Sequence, residues 1–235
     1  MLTIVLPRTS TNRFNRPPAF TLIEILASIT VVAILVSILI LGTQRVRISS
    51  QKVVASSNLR QVGVAIQLYA QDNNGYLPGP LWSAQRPYYG ISPQANSSSR
   101  ILGNYIAVYA GLPEPDGTKR DFPLLSSPLF EDMRPSPETP AYLMNNRVNL
   151  SSSGEYVNPW GYESASQAQG EGTSPISMIR VVGEVDPSIW AISAIDKGNG
   201  NPNAGWTDIL LDEPLFPRER LQLYFDWRVE FVPVD

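Results

Sequence analysis

The sequence predicts an α+β chain in which a long N-terminal transmembrane helix serves as a stem packed on a small antiparallel-sheet globular domain. Three observations predict it. The run from Ile25 to Gly42 holds no charged residue. Leu59, Val62, Ile66 and Tyr69 then recur at spacings of three and four, the period of an amphipathic helix. Near the end of the chain, Leu221, Leu223, Phe225, Trp227, Val229 and Phe231 recur at a spacing of two, the period of a half-buried strand. The expected domains are a leader at 1–19, a transmembrane helix at 20–42, an amphipathic helical stem at 43–75 and a globular domain at 76–235.

The apolar segment runs from Phe20 to Gly42. About 20 apolar residues at ~1.5 Å rise cover a hydrocarbon core of roughly 30 Å. A secretory signal peptide is the plainer alternative, but its apolar region is usually shorter and ends in a small-residue cleavage site. Here the small-residue pair Pro18-Ala19 precedes the run. Arg8, Arg13 and Arg16 lie before the segment with no acid among the first nineteen residues, which places that end in the cytoplasm. Arg45, Arg47, Lys52 and Arg60 follow it and weaken the contrast.

No proline occurs between Thr43 and Asp72, and Asn73-Asn74-Gly75 followed by Pro78 signals a helix end. One helix from Phe20 to Asp72 would be about 80 Å long at ~1.5 Å per residue. The same periodicity suits an ordinary coiled-coil stalk.

Charge is divided along the chain. From Tyr76 onward 19 acids face 11 bases, a net of −8, although the whole chain carries only −3. An acidic domain disfavours nucleic-acid binding, which needs Lys and Arg to neutralise phosphates. There is no Cys and no His. Disulfide staples, Ser-His-Asp and Cys-His catalysis and His-ligated zinc are thereby removed, and an enzyme is disfavoured.

Glu24 stands out in its apolar surroundings. A carboxylate within such a run costs about 2.5–3.5 kcal/mol on insertion scales, so it needs a partner or access to water near the helix start. A cut between Ala19 and Phe20 would create an α-amino group with a reference pKa of about 7.7–8, mostly cationic near neutrality. Glu24 would then be the fifth residue of the mature chain and could meet the amine of a neighbouring copy.

Ala19 followed by Phe20-Thr-Leu-Ile-Glu24 resembles the prepilin-type cleavage and methylation motif of type IV pilins and type II secretion pseudopilins. The resemblance implies that a prepilin peptidase removes residues 1–19 and methylates Phe20, and that Glu24 guides filament assembly. The family usually has Gly before the cut, where this chain has Ala19. Ser57 to Pro78 resembles the corresponding stretch of the pseudopilin-like subfamily. The resemblance covers Phe20 to Pro78 well and the remainder in patches.

Beyond Tyr76 the chain is rich in turns, with Pro and Gly clustered at Pro78-Gly-Pro, Pro113-Glu-Pro-Asp-Gly and Pro135-Ser-Pro. A second helix is expected from Ser99 to Tyr109, and strands at Ile179 to Gly183, Ile189 to Ile195 and Leu221 to Val232. Ser151 to Thr173 reads as a long loop. An antiparallel sheet laid on the helix buries a face of each. Ala141-Tyr-Leu-Met-Asn-Asn146 and Leu223-Tyr-Phe-Asp-Trp-Arg-Val-Glu-Phe231 resemble subfamily segments. In the latter the subfamily has an Asp-Gly pair and an upstream His; here Trp227 stands for the Gly and Phe216 for the His. Its Cys-Pro pair corresponds to Ser127-Pro128.

Three groups invite chemistry. Asp196, Asp208 and Asp212 are candidate calcium ligands around Asp196-Lys-Gly-Asn-Gly-Asn201, because Ca²⁺ takes clustered oxygens and some major pseudopilins hold it near their C-terminus. The same run reads equally as a plain turn. Trp82, Trp160, Trp190, Trp206 and Trp227 could line a ligand groove or serve as core anchors. Asp226 and Glu230 sit four apart, expected on one strand face, but a carboxylate pair needs a cleft to raise one pKa. Apart from calcium no cofactor is expected.

The expected function is a structural subunit of a type II secretion pseudopilus or type IV pilus-like filament in the bacterial inner membrane, single-pass, with the C-terminal domain periplasmic. Expected partners are prepilin peptidase, other pilin or pseudopilin subunits, an inner-membrane assembly platform and the lipid bilayer, with no nucleic acid. The rivals are a membrane-anchored minor pilin or adhesin that binds carbohydrate or protein, and an uncleaved membrane-anchored sensor.

Overall fold

The computed structural model describes residues 21–90, 100–161 and 174–234, with the side chains of 38–45 left out. The chain divides between Val46 and Arg47 into two compact units. A single helix, α1 (Leu22–Asp72), 51 residues long, contributes to both.

Among the described residues no helix is long and apolar enough to cross a membrane. This corrects the transmembrane helix expected at 20–42. Of the expected span, Leu22 to Ser37 includes Glu24, Ser28 and Thr30, and the side chains of residues 38–42 lie outside the described ones. A crossing takes about 20 predominantly apolar residues.

In the second unit α1 buries Ala55, Leu59, Val62, Ala65, Ile66 and Ala70, a stripe at helical spacing. Lys52 pairs with Glu219 and lies 5.1 Å over the Phe231 ring, fixing the helix to the sheet edge. The helix stops where Asn74 and Gly75 take left-handed backbone (φ 55° and 80°) and the Gly75 N–H turns back to the Ala70 carbonyl at 2.7 Å.

Five antiparallel strands form the main sheet: β1 (Ala84–Gln85), β4 (Tyr142–Met144), β7 (Trp190–Ala194), β8 (Glu219–Tyr224) and β9 (Val229–Pro233), in the order β1-β4-β7-β8-β9. Two small two-stranded antiparallel sheets accompany it, β2 (Tyr88–Tyr89) with β3 (Arg120–Asp121), and β5 (Val148–Asn149) with β6 (Tyr156–Val157). The short helices are α2 (Leu102–Ile106), α3 (Pro128–Met133) and α4 (Met178–Glu184). The core joins the inner face of α1 to Met144, Ile192, Leu221, Leu223, Phe225 and Trp160. The architecture is therefore α+β with an antiparallel sheet.

Several elements differ from the sequence expectation. Ile179 to Gly183 lies in α4 and is not a strand. The Ser177 hydroxyl accepts the Arg180 N–H at 3.4 Å, and Val181 and Val185 point inward while Ile179 and Val182 face out, a period of four. The strand expected from Leu221 to Val232 is a hairpin. Leu221 pairs with Phe231 and Leu223 with Val229, and the turn between them places Trp227 in left-handed backbone at φ 69°. That conformation costs a non-glycine residue roughly 1–2 kcal/mol. The indole offsets the cost by packing toward α1, where a Cβ on Gly63 would sit 3.5 Å from Trp227 Cε3 and 3.3 Å from Leu223 Cδ1. The helix expected from Ser99 to Tyr109 is reduced to α2 and a 3₁₀ turn at Val108–Ala110, with Ser99 outside the described residues. The loop expected from Ser151 contains β6, and its part from 162 to 173 is likewise outside them.

Candidate assembly surface

The first turn of α1 is closed by a capping box. The Thr21 backbone N–H and hydroxyl both donate to Glu24 Oε2 at 2.9 Å, and the Glu24 N–H returns to Thr21 Oγ1 at 3.3 Å. Glu24 thus has a partner inside its own helix, a role the sequence reading missed although Thr21-x-x-Glu24 is the recognised spacing. Ala19 and Phe20, the expected processing pair, lie outside the described residues.

Beyond that turn the segment is apolar on every side. At 100° per residue, Leu22, Leu26 and Ile29 lie on one side of the helix and Val31, Ile34 and Leu35 on the opposite one, and all six are exposed. The polar side chains between them are satisfied within the helix. Ser28, Thr30 and Ser37 donate to the carbonyls of Glu24, Leu26 and Ala33 at 2.7–2.8 Å. Glu24 is the single ionisable residue between Thr21 and Ser37. A helix that is hydrophobic all round is a buried helix. What buries this one must come from outside the chain's own described core, whose first residue is Ala55.

The residues proposed as calcium ligands are engaged differently. Asp196 is almost fully buried, and both its carboxylate oxygens receive the Arg220 guanidinium, Nε at 2.6 Å and Nη2 at 2.7 Å, with the Gly198 N–H at 2.7 Å. Asp212 pairs with Lys197 at 2.7 Å, and Asp208 lies exposed in a 3₁₀ turn at Thr207–Ile209. Among the described residues no group of three or more His, Cys, Asp or Glu side chains is gathered as a metal would need. Arg220, which no sequence signal singled out, supplies the cation.

The five tryptophans have separate neighbours. Trp160 is buried and stacks on Phe225 at 6.0 Å, Trp227 packs toward Gly63, and Trp82 is half exposed beneath the Arg100 guanidinium at 5.5 Å. Trp190 opens β7, and Trp206 precedes the 3₁₀ turn near Gly200. Asp226 lies in the hairpin turn and Glu230 in β9, so they do not share a strand. Both pair with Arg228, at 3.0 and 2.7 Å. Ser127-Pro128 caps α3, the Ser127 hydroxyl accepting the Phe130 N–H at 3.2 Å with Pro128 at the first helical position. In the Ala141 to Asn146 segment Tyr142 is buried in β4, and burial pushes its phenol well above the usual range. The Asn145 amide donates to the Trp190 carbonyl at 2.9 Å.

An apolar cavity of about 20 Å³ lies among Leu125, Phe130, Tyr142, Ile195 and Phe216, room for about one water. An open groove of about 390 Å³ runs between Asn58 of α1 and Phe122, Ser126 and Glu131. The Asn58 amide spans it, donating to the Pro123 and Ser126 carbonyls at 3.2 and 3.0 Å.

Comparison with models of protein families, with curated proteins and with solved structures found no match for the chain.

Proposed function

We propose that this chain is a structural subunit of a type II secretion pseudopilus or type IV pilus-like filament, cut before Phe20 by a prepilin peptidase and polymerised through the first half of α1. The observation that carries the reading is the segment from Leu22 to Val36, apolar and exposed on every side, with Glu24 as its one charge. Burying such a segment is strongly favourable. Packed against the same segment of neighbouring copies, it becomes the core of a filament. Inside that core a lone carboxylate is costly unless paired. A methylated Phe20 amine on the neighbouring copy supplies the partner. Other copies or related subunits, the peptidase and an inner-membrane assembly platform are the partners of this reading.

Two substitutions test the pairing apart from the capping box. Glu24→Gln keeps an oxygen that can accept from Thr21 and removes the charge; Glu24→Ala removes both. In a host with a prepilin peptidase and its assembly machinery, both variants should accumulate as folded chain and lose about tenfold or more in filament yield, the scale of a buried charge left unpaired. Wild-type assembly by Glu24→Gln would reject charge pairing and leave only the helix start. Intact-mass spectrometry checks the processing. The expected chain begins at Phe20 with one added methyl, and a chain keeping residues 1–19 would reject a processed subunit.

A further inference from the structure

We propose that the outward face of the second half of α1, formed by Val53, Arg60, Gln61, Val64 and Leu68, docks onto the acidic globular part of a second copy of this chain. The inference rests on the filament reading and names a surface that neighbouring copies use beyond their apolar segments. These five residues are exposed, spaced so that they lie opposite the buried Leu59, Val62 and Ile66. Val53 is 69% and Val64 53% exposed, so the face offers apolar area as well as charge.

Charge selects the occupant. Between Ile25 and Gln71 the chain carries Arg45, Arg47, Lys52 and Arg60 and no acid. A seam of this face against the same face of another copy would bring Arg60, its one charge, toward Arg60, which is repulsive within a Debye length, roughly 10 Å. From Tyr76 onward the chain has 19 acids to 11 bases. Within the subunit Lys52 is held by Glu219 and Arg47 reaches Asp132 at 3.4 Å, whereas Arg60 makes no ion pair among the described residues. Asp208 and Glu213, exposed on the globular part, also lie outside every ion pair among them. The complementary surface for a half-apolar helix face whose one charge, Arg60, has no ion pair among the described residues is therefore the acidic domain of a neighbour, a heterologous contact of the kind that builds open helical assemblies.

Two measurements on the full-length chain in an assembling host decide it. Arg60 is exposed, so Arg60→Glu should leave the melting temperature unchanged and lower filament yield about tenfold, while Arg60→Lys assembles normally. Carbodiimide treatment of Arg60→Lys filaments should then couple the new amine to a carboxylate of another subunit beyond Tyr76, mapped by peptide mass spectrometry. Normal assembly of Arg60→Glu, or coupling confined within one subunit, would overturn the inference while leaving the filament reading intact. Because the chain has no Cys, a Gln61→Cys variant adds a clean third readout. Oxidative cross-linking of that position to itself between subunits would show helix meeting helix and overturn the proposal. Absence of filaments from the wild-type chain would remove both readings together.

Discussion

Asp196 and Arg220 show how one residue's surroundings redirect its chemistry. The carboxylate is 1% exposed and bound by a guanidinium in a two-point geometry. Removing one member of such a pair strands a buried charge. Arg220→Met should therefore cost about 3 kcal/mol in chemical denaturation, and adding Asp196→Asn should recover much of it. A single variant as stable as wild type would contradict the pairing. Nearer the surface, Glu138 gathers Lys119, Arg86 and the Tyr88 hydroxyl, which donates to it at 2.7 Å. Lys119 holds the Glu138 carboxyl below its ordinary value of 4.5 against the opposing pull of partial burial, with the Tyr88 hydrogen bond adding to the effect. Burial, then the bond to Glu138, pushes Tyr88 up from 10 to about 12. A depressed carboxyl contributes stability above its unfolded value and loses it as the pH falls. A raised phenol contributes below its unfolded value and loses it as the pH rises. Glu138→Gln should thus flatten the decline of melting temperature below pH 4.5, and Tyr88→Phe the decline between pH 10 and about 12. Profiles parallel to wild type would show that the cluster does not titrate as described.

At the scale of elements, α1 packs closely on the β8–β9 hairpin. Gly63 leaves room for Leu223 and the Trp227 ring, and a single Cβ would already stand 3.3 Å from Leu223. Gly63→Val should destabilise by about 1–3 kcal/mol through overpacking, against the small gain in helix propensity from losing a glycine. Urea midpoints measure it, and a stabilised variant would mean that the hairpin is free to shift. The same contact explains why the period of two from Leu221 to Phe231 did not reveal the turn. Phe225 stays buried against Trp160 and Trp227 packs toward Gly63 through the bend, so the alternation survives where the strand does not. For α4 the miss has another origin. Five residues from Ile179 to Gly183 are too few to separate a period of two from one of 3.6, and the Ser177 cap decides it.

For the whole molecule, the division between Val46 and Arg47 sets the expectation. The buried core begins at Ala55 and includes nothing from the exposed apolar segment. A chain starting at Arg47 should fold with an unchanged melting temperature and run as a monomer in size-exclusion chromatography, whereas the longer chain should self-associate through that segment. Failure of the shorter chain to fold would show that the first unit supports the second. The membrane-spanning helix expected at 20–42 was the principal error at this scale, since among the described residues no helix is long and apolar enough to cross a membrane. Glu24 and the apolar positions beside it were legible because they depend only on order along the chain.

Local order determined a good deal by itself: the amphipathic stripe Leu59, Val62, Ile66 and Tyr69, the helix end at Asn73-Asn74-Gly75, the strand around Trp190 to Ala194, and the isolation of Glu24 in apolar sequence. Each is a pattern of neighbours within a few turns or residues, set by backbone period and side-chain hydrophobicity. Tertiary structure alone decided that Asp196 faces Arg220, 24 residues away, that Trp227 takes a left-handed turn because Gly63 makes room for it, and that five tryptophans go to different neighbours. These outcomes depend on which distant side chains share a volume, and burial makes an unpaired charge or an unfilled gap costly enough to settle them.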